Sequence, residues 1–384
     1  MTIFDPTTKA PGVYIQEVAA TGPIAGTGTS TPALIGTVKA AVPEADLGKP
    51  VAVTNWTAFT QKFGDYDKTK SLPFAVRGFF ENGGTMAYVV PVNDMAALDA
   101  ALTNLKVCTD VSMVCVPGVV DTGPQKKVIA HCEELNDRVA ILDGVQDTEP
   151  LKSTGPLQKQ KKDLINRRGF GALYWPWIQI ADPTAPVDKP EVISTPPSGH
   201  IAGVIARSDS QRGVHKAPAN EPVVGAVGLE YNLDDTAHGV LNNLNINALR
   251  VFPGRSQPLV WGARTLTDGT PFLHLNVRRL ISFIEDSIVQ GTRWAVFEPN
   301  SVDLWKRLEL SITEFLTRVW QSGALFGATA DQAFYVKIDE ELNPPSTRAL
   351  GQVFGEVGVA PVHPAEYVVF RIGLWDGGAQ IAET

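Results

Sequence analysis

Between residues 96 and 183 the sequence alternates between short apolar runs and more polar, helix-like stretches. VSMVCVPGV (111–119), RVAILDGV (138–145) and ALYWPWIQIAD (172–182) have the near-continuous apolar character of strands buried on both faces. Between them, PQKKVIAHCEELND (124–137) and LKSTGPLQKQKKDLINRRG (151–169) read as helices. A strand running in the same direction as its predecessor needs a crossover of a dozen or more residues, and a helix supplies it. The middle of the chain is therefore predicted to form βαβ units around a parallel sheet, with helices on the sheet faces. The overall expectation is a mixed α/β fold.

The flanking segments extend this plan. ALIGTV and PVAVTN read as strands, and NWTAFTQKFG as a short helix capped by Asn55 and stopped by Gly64. SLPFAVRGFFENGG places Leu72, Ala75, Val76, Phe79 and Phe80 on one helical face, and AYVVPV follows as a buried strand. ADPTAPVDKPEVISTPPSGH is too rich in proline for regular structure and predicts a surface loop, with HIAGVIARSDS helical after it. Near the C-terminus, NVRRLISFIEDSIVQG puts Val277, Leu280, Ile281, Ile284 and Ile288 on one stripe, closed by Gly291. NSVDLWKRLELSITEFLTRVWQSG predicts a second long helix, capped by Asn300 and closed by Gly323. AFYVKID and EVGVAPV read as antiparallel strands, and EYVVFRIGLWDGG as a final strand before a polar tail.

At the other end, VYIQEV (Val13–Val18) is a short strand pattern between Pro-Gly and a Gly/Thr/Pro stretch. Such a strand cannot satisfy both its edges locally and needs a sheet elsewhere, in its own chain or another. Both chain ends thus carry strand-like segments on arms. The expected layout is an N-terminal arm over 1–22, an α/β segment over 23–95, a central α/β domain over 96–266, an α+β domain over 267–366, and a C-terminal strand and tail over 367–384.

Charge restricts the partners. With 33 Lys+Arg against 41 Asp+Glu the net charge is −8, with no basic block, which argues against nucleic acid because that affinity comes from neutralising phosphates. The apolar fraction of 44% supports a folded core, while the charged fraction of 19% leaves surface suited to contact rather than to water. No apolar stretch approaches the length of a membrane span, and the start, MTIFDPTTKAPG, lacks the pattern of a secretory signal. Cys108, Cys115 and Cys132 are odd in number and sit in apolar segments, which fits buried thiols in a reducing compartment. Synthesis and assembly in a bacterial cytoplasm are expected.

The α/β pattern invites an enzyme reading, but the motifs for one are missing. There is no G-x-S-x-G, no G-x-x-x-x-G-K-[ST] and no H-E-x-x-H. Gly26 and Gly28 lack the third glycine of a dinucleotide loop, and Gly225 and Gly228 match no better. Cys108, Cys115, His131 and Cys132 do not have the spacing of a structural zinc site, and His200, His215, His238, His274 and His363 are scattered. Asp143 ends a strand where α/β folds place ligands, yet Asp-Gly is also a turn pair and no nucleophile or base lies near it in sequence. Lys159, Lys161 and Lys162 read as a solvated helix face, and Trp175 and Trp177 as core or interface. No catalytic residue, metal site or cofactor is predicted. Unpaired strands on arms instead point to heterologous assembly, which generates rings or helical tubes.

Several segments, in order along the chain, resemble contractile tail sheath proteins: KAPGVYIQEV, SLPFAVRGFFENGG with AYVVPV, VIAHCEELNDRVAILD, ARSDSQRGVHKAPANEPVVGAVGLE, INALRVFPGRSQPLVWGARTL, NVRRLISFIEDSI, VFEPNSVDLWKRL and VGVAPVHPAEYVVFRIG. The resemblance is to the compact sheaths of phage tails and phage-like extracellular injection systems more than to two-protein type VI sheaths. It implies a subtilisin-like central domain without enzymatic activity. It also implies hexameric rings stacked around an inner tube on a baseplate, with a terminal cap, and contraction that drives the tube through a target membrane without the sheath itself inserting. By the same resemblance, Val13, Tyr14, Ile15, Gln16, Glu17 and Val18, and Tyr367, Val368, Val369, Phe370, Arg371 and Ile372, would join neighbouring subunits by strand exchange. The C-terminal domain would face the tube, with Asp303, Lys306, Arg307, Glu314 and Arg318 as candidates. An α/β hydrolase-like enzyme, or another structural component of the same tail machine, are the alternative readings.

Overall fold

The computed structural model describes residues 23–269 and 271–370. Val13–Val18 and the pair Arg371 and Ile372 lie outside the described residues.

The chain begins its regular structure with β1 (Pro32–Gly36), all five residues buried, followed by β2 (Val51–Val53) and β3 (Ala87–Pro91). Between β2 and β3 lie α1 (Trp56–Phe63) and α2 (Ser71–Glu81). Asn55 caps α1 by accepting from the Ala58 N–H at 2.8 Å, and Gly64 ends it at φ 82°, a left-handed-side conformation that glycine adopts without steric cost. α2 is buried over more of its circumference than the predicted stripe, because α6 (described below) packs across it so closely that a Cβ at Gly78 would meet the His200 ring at 2.3 Å.

The βαβ region follows as predicted. α3 (Leu98–Leu105), β4 (Met113–Cys115), α4 (Thr122–Leu135), β5 (Val139–Asp143), α5 (Pro156–Asp163) and β6 (Gly171–Trp175) alternate, and α5 is shorter than its polar segment suggested. The run ALYWPWIQIAD is not one strand. Pro176 has no N–H to offer a ladder, and the chain leaves the main sheet there to form β7 (Ile178–Ala181) in a second sheet. Nor is the proline-rich connection wholly a loop: its β-branched run forms β8 (Val192–Thr195), antiparallel to β7.

α6 (Ser198–Arg212), β9 (Glu221–Pro222), β10 (Ala226–Leu229), α7 (Asp235–Asn243), β11 (Ile246–Arg250) and β12 (Leu259–Val260) complete this body. The main sheet has the order β2-β3-β1-β4-β5-β6-β11-β12-β9. Strands β3, β1, β4, β5, β6 and β11 are parallel, with antiparallel strands at both edges. β10, β7 and β8 make the second sheet.

The C-terminal part is helical first: α8 (Leu275–Gly291) and α9 (Val302–Gln321), then a two-stranded sheet of β13 (Phe334–Lys337) and β14 (Glu356–Val359), antiparallel as expected. Ser301, not Asn300, caps α9, its Oγ accepting from Leu304 N–H at 3.4 Å. Asn300 is taken by other partners, accepting from Trp305 Nε1 at 2.9 Å and donating to the Gln352 carbonyl at 2.9 Å. Gly323 ends α9 at φ 81°. Leu280, Ile284, Leu304, Trp305, Leu308, Ile312, Phe315 and Leu316 form a core separate from that of the α/β body.

Two arginines on α8 are buried, although a helical hydrophobic pattern assigns such residues to solvent. Arg278 lies over the rings of Phe170 and Phe272, 4.6 and 4.4 Å from their centroids, and donates to Glu285 at 3.1 Å. Arg279 crosses to α6, donating to both carboxylate oxygens of buried Asp209 at 2.9 and 2.5 Å and to the Thr29 carbonyl at 2.9 Å. This fork-shaped pair joins the two bodies.

Candidate assembly surfaces

The residues where an enzyme reading would look for chemistry are structural. Asp143 is not a surface turn residue: it is buried and accepts from Ser198 N–H and Ser198 Oγ, each at 2.8 Å, and from Gly118 N–H at 3.0 Å. Burial raises its pKa to about 6, with the hydrogen bonds from Gly118 and Ser198 pulling the other way. It thereby ties the start of α6 to the loop after β4, using up its oxygens. His131 and His200 are buried, and desolvation lowers both to about 4, so they are neutral rings in the core at pH 7. Cys115 and Cys132 are buried, and burial pushes both thiols up. Among the described residues no group of three or more His, Cys, Asp or Glu is placed to hold a metal, and no helix is long and apolar enough to cross a membrane.

The C-terminal body carries the roots of both arms. Ile24 is buried in its core, and its carbonyl accepts from Arg318 Nη2 of α9 at 2.7 Å. From there the chain runs as a strap toward β1: Thr27 N–H donates to Ser287 Oγ at 3.1 Å, and Thr29 Oγ1 to Asp209 at 2.7 Å. The N-terminal segment therefore enters the described structure pinned to α8, α9 and α6.

The C-terminal arm leaves from β14. Phe326 N–H donates to the Ala360 carbonyl at 2.7 Å and Val362 N–H to the Ala324 carbonyl at 3.1 Å, which extends the pairing a few residues past the strand. Glu366 is then clasped by the α/β body. Arg264 Nε donates to its two oxygens at 3.0 and 3.2 Å, Arg264 Nη2 adds a third bond, and His274 Nδ1 lies 3.4 Å away. Burial works to raise the Glu366 pKa, but the Arg264 hydrogen bonds and charge outweigh it and hold the carboxyl below the usual carboxylate range. Beyond the clasp, Tyr367, Val368, Val369 and Phe370 form no strand with this chain and are 72, 68, 82 and 80% exposed. These four consecutive exposed residues are all of strong β-propensity. The β13–β14 sheet, with only two strands, is marginal by itself and has free edges among the described residues.

The outer face of α9 carries the remaining candidates, and they are unequal. Arg307 donates to Glu298 at 3.0 Å, lies 3.7 Å from Asp303 and sits 5.1 Å from the Trp294 ring centroid. Arg318 holds Ile24, as above. Lys306 and Glu314 are exposed and make no ion pair among the described residues. Sequence spacing placed all five on one helix but carried no sign that Arg318 braces the N-terminal strap, since Ile24 lies 294 residues away.

Two family profiles cover most of the chain: the phage tail sheath protein central domain over residues 93–266 and the phage tail sheath C-terminal domain over residues 267–374. Among curated relatives, a putative prophage major tail sheath protein of Pseudomonas aeruginosa is 26% identical over 244 residues, 62% of this chain and 58% of its own length. The tail sheath protein of Escherichia phage P2 is 25% identical over 178 residues, 45% of this chain and 43% of its own. The aligned regions thus span about half the length of these relatives. Solved structures match over nearly the full length. The sheath of the anti-feeding prophage in its contracted helical state superimposes with a TM-score of 0.79 at 26% identity, covering 95% of this chain and 99% of the other. The contracted PVC sheath, from an extracellular contractile injection system, gives 0.77 at 28% identity over 95% and 98%.

Proposed function

The chain belongs to the contractile tail sheath family, and from that premise we propose that it polymerises as stacked hexameric rings around an inner tube and contracts to drive that tube through a target membrane. That it is a structural sheath subunit of a contractile, phage-tail-like system follows from the family and its mixed α/β fold. The observation that carries the finer reading is the near-complete overlay on a contracted helical sheath, which leaves few residues of either chain for another task.

In this reading the partners are other copies of the chain, the inner tube protein, and the baseplate and cap at the two ends. The particle is assembled in a bacterial cytoplasm and is released as, or within, a tail-like body. Val13–Val18 and Tyr367–Ile372 add as strands to the C-terminal domains of neighbouring subunits. The exposure of Tyr367–Phe370 beyond a fixed clasp, and the free edges of β13–β14, support that exchange. Such links act as hinges that persist while other contacts break and re-form. Asp303, Lys306, Arg307, Glu314 and Arg318 lie on the helix that faces the tube, with Lys306 and Glu314 available for releasable charge contacts and Arg318 serving the strap. In this reading the chain is structural rather than enzymatic, and the buried carboxylate of Asp143 serves the fold through its backbone and serine hydrogen bonds.

Electron microscopy of the purified protein, alone and with its tube protein, tests this. Hollow striated cylinders with six-fold end views are expected. Discrete particles under both conditions would sink the proposal.

A further inference from the structure

The loop between α8 and α9 contains a backbone that its sequence should avoid. Glu298 N–H donates to the Ala295 carbonyl at 3.2 Å, closing a four-residue turn. Val296 has φ −68° and ψ 128°, and Phe297 has φ +71°. These are the angles of a type II turn, whose third position takes glycine because a side chain there meets the backbone. A phenylalanine at positive φ is a steric outlier. Its side chain gains nothing inside the protein in return, being 103% exposed, and its neighbour Val296 is 65% exposed. Turn corners are ordinarily polar or glycine; this one presents two large apolar side chains.

The turn is braced, so its tip is held out. Glu298 accepts from Arg307 of α9 at 3.0 Å, and the same guanidinium covers the Trp294 ring and lies near Asp303. Two residues on, Asn300 is fixed by Trp305 and Gln352. The braces join the turn to the outer face of α9, where Leu310, one turn past Arg307, is 66% exposed among the charged residues. Phe297 thus adjoins a carboxylate that Arg307 of α9 holds, and Leu310 follows Arg307 by one turn of the same helix.

We infer that Phe297 is the apolar anchor with which this surface grips the inner tube subunit, an inference that rests on the reading of α9 as the tube-facing helix. The partner site it fits is a shallow apolar pocket flanked by charges of both signs, matching an aromatic tip beside Glu298, Arg307, Asp303 and Lys306. An aromatic anchor ringed by polar contacts is the usual arrangement of an interface hot spot. Charge alone then positions the sheath on the tube, and the ring supplies grip.

The decisive variant is Phe297→Gly, because glycine suits the turn. Full-length protein is compared with the variant for melting temperature, for polymerisation alone, and for co-sedimentation with preformed tubes of the particle's own tube protein. Phe297→Gly is expected to melt at or above the parent temperature and to polymerise normally, yet to bind tubes at least ten-fold more weakly. Phe297→Leu should keep most of the binding. A fall in melting temperature for Phe297→Gly would show a structural residue and overturn the inference. Loss of polymerisation without tubes would assign the ring to a second copy of the chain and overturn it too. Lys306→Glu and Glu314→Lys separate the remaining cases. If they weaken tube binding and Phe297→Gly does not, α9 faces the tube but Phe297 is no anchor. If none of the three changes binding, the tube-facing reading itself fails and this inference with it.

Discussion

The α/β body and the C-terminal body bury their apolar residues to different depths. In the first, β1, β5 and β6 are buried from end to end, and Ala33, Leu34, Ile35, Ala140, Ile141, Ala172 and Leu173 are fully inaccessible. In the second, core residues such as Leu308, Ile312, Val319, Phe334 and Ile338 retain 6 to 9% exposure, and the only sheet among the described residues has two strands. One body is finished as a monomer. The other packs two long helices against a two-stranded sheet, bears the roots of both arms, and gains most from neighbours. Since apolar burial stabilises by roughly 25 cal/mol per Å², strands added to β13–β14 would supply what a lone two-stranded sheet lacks.

The largest effect should come from removing Met1–Thr21. Every described element of the α/β body lies outside this segment, so the subunit should stay folded and soluble, with its thermal unfolding near that of the parent. Polymers should be lost altogether if the C-terminal body depends on a donated strand. Normal cylinders in electron micrographs would remove the distinction between a self-sufficient and a dependent body.

Arg279→Ala breaks the seam between the two. It leaves the buried side chain of Asp209 with hydroxyl partners but no counter-charge, a change that costs about 3–5 kcal/mol. Unfolding should split, the C-terminal helices exchanging amide hydrogens well before β4–β6. A single cooperative transition at a lower temperature would show that the bodies are one unit.

Acid should act on the α/β body first. His131 and His200 are lowered from 6.5 to about 4 by burial, so the stability they contribute is present above pH 6.5 and is lost as pH falls toward 4. Asp143 runs the opposite way: raised from 3.8 to about 6, its contribution is present below pH 3.8 and is lost as pH rises through 6. Two groups against one leave a net loss on full acidification of roughly 4 kcal/mol, at about 1.4 kcal/mol per pKa unit. α9 itself, Val302–Gln321, carries no histidine. Hydrogen exchange at pH 7 and pH 5 should therefore show β4–β6 weakening more than α9, and equal weakening would count against the assignment.

The smallest effect belongs to Arg318→Ala, which removes one partly buried hydrogen bond from this exposed arginine to the Ile24 carbonyl. A loss of about 1–2 kcal/mol, confined to exchange of amides at residues 23–31 and the end of α9, would place Arg318 in the strap. No change there, with weakened tube binding, would return it to the outer face.

Local pattern made most of the α/β body legible. The alternation of apolar runs with helices, the Asn55 cap and the Gly64 stop needed only neighbours in sequence. What failed needed distant partners. Arg278 and Arg279 look like solvent residues at a helix start; their burial depends on Phe170 and Phe272 for one, and on Asp209 for the other. ALYWPWIQIAD reads as one strand because its apolar character is unbroken, while Pro176 sends its halves to different sheets. Asn300 and Ser301 are both good caps, and only the position of Trp305 and Gln352 decides between them. For the assembly surfaces, the β-forming run Tyr367–Phe370 was legible in the sequence, whereas the Glu366 clasp joins residues 102 apart and left no trace in the pattern.

The clasp on Glu366 also fixes a length. A chain pinned there can advance by at most about 3.3–3.6 Å per residue, so the six residues Tyr367–Ile372 reach no further than about 20 Å from the pin. If Tyr367–Ile372 adds as a strand to a neighbour, as proposed, the acceptor edge has to stay inside that radius throughout a stroke. Adjacent subunits of the proposed assembly would then be leashed to one another, and the leash would set how large a step each ring takes past the next.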